Sequence, residues 1–305
     1  MEDSSMKVEL IGLKLPEIKT GDDLADLLVK AASRDAGGLK DGDIIVVTSK
    51  AVSKAYGFLV ELKEIKPSAK AMNLARETGE DPRFIQAILD HSDRLLFVLP
   101  VLKLVEKGVI DLQKLSRKPA KALELIRKFP YTFFVERKGQ VYSDAGLDAS
   151  NHPEGVLSFP PEDPDGVARE LRRKLFEYSG KDVAVVISDT EFMPFLGSLD
   201  IARGSSGIQA TAKKFGEPDR YGKPKFGGAD CIVHELACAS ALLIGQTDEG
   251  IPAVIVRGLK YVRSEEGVST IRLTPENLET AIKEIVKTSI KILGLKTFTK
   301  LLLSV

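Results

Sequence analysis

Three apolar runs limit what this chain can fold into. They are "DIIVVTSK" from residue 43, "DVAVVISDT" from residue 182 and "IPAVIVRGL" from residue 251, each with four or five consecutive aliphatic residues. Unbroken apolar runs of this length are typical of strands that are buried on both faces of a sheet. Segments with apolar residues at helical spacing lie between them, such as "GDDLADLLVKAAS". We therefore expect an α/β fold, of mixed α+β character, with a mixed sheet.

Composition excludes several classes of protein. The chain has 305 residues, of which 43% are hydrophobic, enough for two domains or one large one. Its 44 basic and 44 acidic residues cancel, which disfavours a nucleic-acid partner. No apolar stretch is long enough to cross a membrane, and "MEDSSMKVEL" does not resemble a signal peptide, so we expect a cytoplasmic protein. Three Asn and five Gln, against abundant Lys and Glu, favour a heat-adapted source.

Two segments differ from the rest of the chain. Residues 101–130 are Lys-rich and amphipathic, which predicts a helical insertion of one or two helices. Residues 266–305 combine a Lys/Glu amphipathic helix, "TPENLETAIKEIVKTSIKIL", with an apolar tail, which predicts a C-terminal helical extension. The body of the protein would then comprise residues 1–100 and 131–265.

Acidic residues follow two of the strand-like segments. "VAVVISDT" is expected to end in Ser188, Asp189 and Thr190, at the edge of an α/β sheet where ligands bind. Carboxylate and hydroxyl oxygens suit Mg²⁺ or Mn²⁺, although Asp189 alone could simply cap a turn. "GLDASN" places Asp148 and Asn151 three residues apart, either around one ligand or in an Asx-turn with Asn151 as a helix cap. Two such acids could converge on a pair of cations, as in phosphoryl chemistry.

Two further segments carry polar residues at the ends of predicted elements. In "VVTSKAVSK", hydroxyl groups and Lys54 suit phosphate oxygens, with a solvated loop as the alternative. In "IGQTDEG", a helix C-cap explains Gly245 but not the four polar residues that follow it.

Several common catalytic motifs are absent from the sequence. There is no Walker, Rossmann or G-x-S-x-G pattern, so a nucleotide enzyme would need a less common fold. His234 lies in an apolar helical stretch and is interpreted as a core histidine. Cys231 and Cys238, on the same stretch, are interpreted as small buried side chains, because a zinc site would need more ligands.

Taken in order, these segments resemble a known family. "LKLPEIKTGDDL", "DGDIIVVTSKAVSKAYG", "DAGLDASN", "VVISDT", "DRYG" and "LLIGQTDEGIPAVIVRGL" are similar to the γ-glutamyl ligases of coenzyme F-420, a deazaflavin hydride carrier. The resemblance covers roughly residues 7–100 and 131–263. It implies two intertwined α/β domains with mixed sheets, in a butterfly-shaped homodimer.

The resemblance also implies a reaction. A member of this family uses GTP and Mn²⁺ or Mg²⁺, with K⁺ as a further candidate ion, to join L-glutamate to a carboxylate of the coenzyme precursor. GTP phosphorylates that carboxylate, and the glutamate amine then displaces phosphate from the acyl phosphate. Catalysis of this kind rests on positioning and charge neutralisation.

The family pattern assigns roles to particular positions. Asp148, Asp189, Thr190 and Gln246 match its metal ligands, and Asp148, Asp189 and Lys54 would be catalytic. The segments around GTP match Leu15, Pro16, Glu17, Ile18, Thr48, Ser49, Lys54, Asn151, Ile244, Gly245, Gln246, Thr247, Asp248, Glu249, Gly250 and Ile251.

One stretch departs from the family pattern. After Ser-Asp the family usually continues with Gly-Arg-Pro-Trp-Arg, whereas this chain has "TEFMPFLG". Pro194 and the aromatic Phe195 remain, but Met193 and Leu196 stand where arginines are expected. Because Arg binds carboxylates and phosphates bidentately, the acceptor stays open between the F-420 precursor and another carboxylate, such as a folate or pterin. A nucleotide-binding dimer without catalysis is the third alternative, which the complete set of metal-ligand types disfavours.

Overall fold

The structure, a computed structural model, describes residues 7–193, 197–272 and 274–303. The described residues up to 137 and from 141 to 271 form one compact unit, and residues 138–140 with those from 272 onward form a second. The strands are β1 (Glu9–Leu13), β2 (Ile44–Thr48), β3 (Leu59–Glu61), β4 (Arg94–Leu99), β5 (Thr132–Arg137), β6 (Gln140–Ser143), β7 (Val156–Ser158), β8 (Ala184–Met193), β9 (Gly197–Ser206) and β10 (Ala253–Arg257).

The helices alternate irregularly with these strands. They are α1 (Leu24–Ala36), α2 (Ser49–Tyr56), α3 (Ala69–Thr78), α4 (Pro82–Asp90), α5 (Val101–Glu106), α6 (Leu112–Leu115), α7 (Pro119–Lys128), α8 (Pro164–Ser179), α9 (Ile232–Ile244), α10 (Pro275–Leu293) and α11 (Leu295–Leu303). None of those in the described ranges is long and apolar enough to cross a membrane.

The main sheet has the strand order β1-β10-β2-β8-β9. Strands β2 and β8 are parallel, and their other neighbours are antiparallel. The predicted α/β fold with a mixed sheet is therefore confirmed. The three apolar runs are β2, β8 and β10, which occupy the centre of the sheet.

Burial on both faces explains why these runs do not alternate with polar residues. Ile45 and Val47 of β2 join one apolar cluster with residues of α1 and α8. Ile44 and Val46, which point to the opposite face, join another with Val233 and Leu236 of α9. Both faces of the central strands are thus covered by helices, and polar chemistry is confined to the strand ends.

Two smaller sheets complete the first unit. Strands β4, β5 and β6 form one, and β3 pairs with β7 in the other. A third apolar cluster includes Ile85 and Ile88 of α4 and Phe133 and Val135 of β5. The segment after β6 then runs along β7, where Asp148 forms an isolated β-bridge with Ser158.

Several local predictions were wrong. The segment after β2 is the helix α2, capped by Thr48, so its alternative interpretation as a solvated loop is wrong. Strand β8 does not end at Thr190 but continues to Met193 as the first arm of a hairpin with β9. No strand was predicted at the position of β9. Residues 101–130 contain three short helices rather than one or two.

Candidate active site

A cleft of about 540 Å³ opens where β2 and the parallel half of β8 end. Every residue assigned to the site from sequence lines it. Its walls come from Leu15–Ile18 after β1, from the start of α2, from the turn that carries Asp148, from β8 and from the loop Ile244–Pro252. Segments far apart in sequence thus meet at one edge of the main sheet, as expected for a ligand site in an α/β protein.

The parallel register of β2 and β8 places Ser49 beside Asp189. Thr48 is the partner of Ser188 at the last position of the pairing. The residues that follow them, Ser49 and Asp189, therefore both lie at the cleft. The Ser49 hydroxyl donates to Asp189 Oδ1 at 2.7 Å. This contact joins two of the predicted site residues directly.

Thr190 and Gln246 meet at a third residue, Asp200. Thr190 is paired with Asp200 across the β8–β9 hairpin, and its hydroxyl donates to Asp200 Oδ1 at 2.7 Å. The Gln246 amide, from the loop after α9, donates to Thr190 Oγ1 at 3.0 Å. Asp200 was not predicted from sequence, although an acid in the strand "GSLDIARGSS" was a visible signal.

Asp148 is held by a left-handed turn. Asp144, Ala145 and Gly146 have φ angles of 47°, 58° and 74°, so three consecutive residues lie in the left-handed region. Beyond them Asp148 Oδ1 accepts from the Ser150 amide at 2.7 Å, an Asx-turn. Asn151 lies in this turn with φ 58° and caps no described helix. The cluster therefore combines both interpretations of "GLDASN": a turn that also faces the cleft.

Two lysines of α2 face the Asp148 turn. Lys54 donates to the Asn151 carbonyl at 3.0 Å and forms an ion pair with Glu17. Lys50, which sequence analysis did not single out, pairs with Asp148 Oδ2 at 2.8 Å. Its spacing of four residues from Lys54 on one helix was the signal that could have found it.

The loop Ile244–Pro252 closes the other side of the cleft. Gly245 ends α9 as predicted, with its amide donating to the Ala241 carbonyl at 3.1 Å. The Thr247 amide donates to Glu249 Oε2 at 2.8 Å. Backbone hydrogen bonds from Leu15 to Gly250 and from Thr48 to Pro252 attach the loop to the ends of β1 and β2.

The carboxylates of the cleft are in different electrostatic states. Burial raises the pKa of Asp189 to about 6, although the Arg203 guanidinium and the Ser49 hydroxyl oppose the rise. Burial likewise raises the pKa of Asp200. For Asp148, burial acts in the same direction, but the Lys50 ammonium and hydrogen bonds from Ser150 outweigh it, so its pKa is lowered. The pKa of one carboxylate in the cleft is thus lowered, and the pKa values of two others are raised.

This donor set fits a hard divalent cation. Asp148, Asp189, Thr190 and Gln246 can each supply an oxygen ligand, the type that Mg²⁺ and Mn²⁺ prefer. The negative charge of Asp148 adds to the raised pKa of Asp189, and a cation would relieve it. Within the described residues no three His, Cys, Asp or Glu side chains are grouped around one point. The neutral oxygens of Thr190 and Gln246 would therefore have to complete the coordination.

The arginine-free stretch is only partly visible. Pro194, Phe195 and Leu196 lie outside the described residues, and Met193 ends β8. His234, by contrast, is placed as predicted, half-buried with Nδ1 accepting from the Ala202 amide at 3.0 Å. Cys231 and Cys238 are free and half-buried.

Comparison with known proteins agrees with this architecture. The sequence model of the family described as "F420-0:Gamma-glutamyl ligase" matches residues 12–258. The chain is 36% identical to "Coenzyme F420:L-glutamate ligase" of Methanothermobacter thermautotrophicus, over 90% of this chain and 98% of the relative. Proteins of the same name from Archaeoglobus fulgidus and Methanopyrus kandleri are 36% and 37% identical over 83% and 84% of this chain and 89% and 88% of their own lengths. The site thus belongs to a mixed α/β protein with an acidic, oxygen-rich cleft. The chain is a member of the F420-0:γ-glutamyl ligase family, and the resemblance inferred from its motifs is confirmed.

Proposed function

We propose that this protein is a GTP- and divalent-metal-dependent ligase that joins L-glutamate to the carboxylate of a coenzyme F-420 precursor. Relatives named "Coenzyme F420:L-glutamate ligase" match most of the chain, which supports the glutamate ligase part of this proposal. The observation that carries the proposal is the convergence of Asp148, Asp189, Thr190 and Gln246 on one cleft. These four residues come from three separate segments, yet all line the same cleft.

The proposed reaction has two steps. A carboxylate oxygen of the acceptor attacks the γ-phosphorus of GTP, the bond to the bridging oxygen breaks, and GDP leaves. The lone pair of the glutamate amine then attacks the acyl carbon, the bond from that carbon to the phosphate oxygen breaks, and an amide forms. The amine loses its proton in this step, and inorganic phosphate is released.

The protein's contribution is positioning and charge. Asp148 and Asp189 would hold the divalent cation, with Thr190 and Gln246 as neutral ligands; bound there, Mn²⁺ or Mg²⁺ neutralises charge on the phosphate oxygens. Lys54 and Lys50 supply positive charge on the α2 side of the same cleft. The buried wall of β2 and β8 excludes water from one side, which strengthens these interactions.

The nucleotide would occupy the cleft between Leu15–Ile18, α2 and the loop Ile244–Ile251. The exposed carboxylates of Asp248 and Glu249 are suited to ribose hydroxyls, and the ammonium of Lys54 is suited to phosphate oxygens. The proposal also includes a homodimer in which each subunit has two intertwined α/β domains, as the resemblance to the family implies. Light scattering of the purified protein tests that assembly separately.

A mass-spectrometric ligase assay tests the function. Wild-type protein is incubated with Mn²⁺, L-glutamate, GTP or ATP, and one of three samples: the F-420 precursor, a pteroate, or no acceptor. The proposal expects one or more glutamyl mass increments on the deazaflavin, with GTP preferred. Because Met193 and Leu196 replace the expected arginines, an increment on pteroate alone would transfer the same chemistry to a different acceptor. GTP turnover absent under every condition would support a non-catalytic nucleotide-binding protein.

Two variants make this assay specific for the cleft. Asp189→Asn removes the proposed ligand charge and is expected to abolish product. Asp182→Asn is the matched control, since Asp182 precedes the same strand at its opposite end and pairs with Arg172 at 3.0 Å. Product formation should survive in the control. Equal loss in both would mean that the strand, and not the carboxylate in the cleft, had been disturbed.

A further inference from the structure

A buried ion pair lies beneath the cleft, between Arg203 of β9 and Glu191 of β8. Arg203 Nη2 donates to Glu191 Oε2 at 2.6 Å, and the two residues are only 1% and 4% exposed. The mechanism proposed above uses neither of them. Charged residues are almost never buried so completely unless they are paired.

Arg203 occupies an irregular position in the sheet. The β8–β9 register shifts between Ile187, opposite Gly204, and Ser188, opposite Ala202, so Arg203 is the extra residue of a β-bulge. Bulges redirect a side chain and are frequent beside active sites. The Ala202 amide beside the bulge donates to His234 Nδ1 at 3.0 Å, so a neighbouring helix supports the irregular backbone. The bulge thus directs the Arg203 guanidinium towards Asp189 and Glu191.

The ion pair joins the hairpin to strand β6. The Ser143 amide donates to both Glu191 carboxylate oxygens, at 3.0 and 3.2 Å. Arg203 Nη1 donates to the Val141 carbonyl at 2.9 Å, and its guanidinium carbon lies 3.6 Å from the centre of the Tyr142 ring. Three consecutive residues of β6 are therefore fixed by one pair, five residues before Asp148.

The same guanidinium also reaches the other proposed ligand. Arg203 Nε lies 3.7 Å from Asp189 Oδ2. One planar group therefore contacts the strand that carries Asp189 and the segment that leads to Asp148. Stability alone is a weak reason for such an arrangement, because a well-packed apolar pair of the same volume often stabilises a protein as well or better.

We propose that Arg203 and Glu191 are positioning residues that fix Asp189 and the Asp148 turn relative to each other. The proposal rests on the ligase function only in giving that geometry its purpose, the binding of a divalent cation. Glu191 lies in "TEFMPFLG", the stretch in which this sequence departs from the family pattern.

Hydrogen–deuterium exchange without metal tests the positioning role directly. Arg203→Lys keeps the charge but removes the fork and the stacking on Tyr142, and Glu191→Gln keeps the shape but removes the charge. Both variants are expected to raise the exchange rate of peptides that span residues 141–151 at least about tenfold, since the Ser143 amide loses a charged acceptor held in place. Two variants are used so that a folding defect in one leaves the other to decide.

Arg257→Lys is the matched control. Arg257 is also a largely buried arginine of the main sheet, bonded through two nitrogens to Asp43 at 2.9 and 2.7 Å, but Asp43 precedes β2 at the end away from the cleft. Its exchange rate over residues 141–151 should equal that of the wild type. Unchanged exchange in both cleft variants, or an equal rise in Arg257→Lys, would overturn the proposal.

Titration with Mn²⁺ adds the functional consequence. Changes in groups that orient metal ligands typically weaken affinity about 10–100-fold, and we expect such a loss in Arg203→Lys but not in Arg257→Lys. Wild-type protein that binds no Mn²⁺ would contradict the proposed function. The exchange comparison would still decide the positioning role, because it is measured in the absence of metal.

Discussion

The Ser49 hydroxyl lies 2.7 Å from Asp189 Oδ1, although 140 positions separate the two residues in the sequence. The parallel pairing of β2 with β8 creates this contact, since Thr48 and Ser188 are the last partners in the register. Ser49 begins α2, so one residue both starts a helix and stabilises a carboxylate. The pKa of Asp189 therefore depends partly on the register of β2 and β8.

Ser49→Ala should shift to higher pH the loss of Mn²⁺ affinity that is expected on acidification. The pKa of Asp189 is about 6, and the Ser49 hydrogen bond lowers it, so its removal leaves burial less opposed and the pKa higher. Only the ionised carboxylate can hold a cation, so Mn²⁺ affinity in the wild type should fall as the pH drops through 6. In Ser49→Ala that fall should begin at higher pH. Titrations with Mn²⁺ between pH 5 and 8 measure the difference.

Ser53→Ala provides the comparison for this variant. Ser53 is a buried serine of the same helix, but its hydroxyl donates to the Phe159 carbonyl at 2.8 Å and not to Asp189. Its Mn²⁺ profile should match that of the wild type. A parallel shift in both variants would show that α2 as a whole, rather than the hydroxyl beside Asp189, sets the profile.

Gly146→Ala should displace the Asp148 turn. Gly146 has φ 74°, and an added Cβ would lie 2.6 Å from Pro160 Cγ and 2.9 Å from Tyr142 Cδ1. The strain and the clash together should reduce the free energy of unfolding by about 2–4 kcal/mol. We also expect weaker Mn²⁺ binding, because Asp148 is two residues away. Chemical denaturation and Mn²⁺ titration give the two quantities.

Gly155→Ala separates the clash from the backbone strain. Gly155 has φ 77°, but no atom lies within 4 Å of its added Cβ. Only the cost of the left-handed conformation, about 1 kcal/mol, should appear, and Mn²⁺ binding should be unaffected. If Gly146→Ala behaved like Gly155→Ala, the packing of the turn against Pro160 would be unimportant.

Asp144→Asn should stabilise the protein at alkaline pH. Burial raises the pKa of Asp144 to about 7, with the nearby acids Glu80 and Glu191 adding to the rise. The folded state therefore holds a proton that the unfolded state releases near pH 4. Stability from this group is present below pH 4 and is lost between pH 4 and 7, as the unfolded state gains by ionising.

The Asp144→Asn variant cannot ionise at this position, so its stability should not fall between pH 4 and 7 for this reason. Its carbonyl oxygen can accept from the Phe133 amide, as Asp144 Oδ1 does at 2.8 Å, and Asn tolerates the φ of 47°. We expect the free energy of unfolding of Asp144→Asn to exceed that of the wild type by about 1–3 kcal/mol at pH 8. At pH 4 the two free energies should be nearly equal. Urea denaturation at the two pH values measures both. A constant difference across this range would contradict the assigned ionisation.

Asp165→Ala should reduce stability without affecting the cleft. Asp165 is 2% exposed and accepts from the amides of Ser205, Val268 and Ser269, all within 2.9 Å. Losing these charge-assisted bonds leaves buried donors unpaired and should cost about 3–5 kcal/mol. Asp165→Asn keeps one acceptor oxygen and should lose less. Thermal unfolding ranks the two variants, and Mn²⁺ affinity well below the unfolding temperature should stay at the wild-type value in both.

Part of the candidate cleft could be predicted from the sequence because polar residues stand at the ends of apolar strands, whereas the other residues that line it were assigned from the resemblance to the family. Asp148, Asp189 and the hydroxyls after β2 are visible as polar residues that follow buried runs, and the topology then brings strand ends together. The fold class followed from the same runs. Helix α2 was missed because its buried face includes two serines beside Ala51, Val52 and Ala55, so its apolar pattern is weak.

Residues that depend on register could not be inferred in this way. Arg203 reaches Asp189 only because of the bulge in the β8–β9 hairpin, and Asp200 meets Thr190 only as its cross-strand partner. Neither pairing leaves a mark in local sequence. Lys50 likewise pairs with Asp148 only because α2 contacts a turn that lies far away in the sequence.

Strand β8 changes its neighbour partway along its length. Up to Ser188 it lies between β2 and β9, and beyond that residue its strand partner among the described residues is β9 alone. The first half is therefore constrained by two neighbouring strands and by helices on both faces. Substitutions at Phe192 and Met193 and at their partners Ser198 and Gly197 are expected to leave intact the β2–β8 register that places Ser49 beside Asp189.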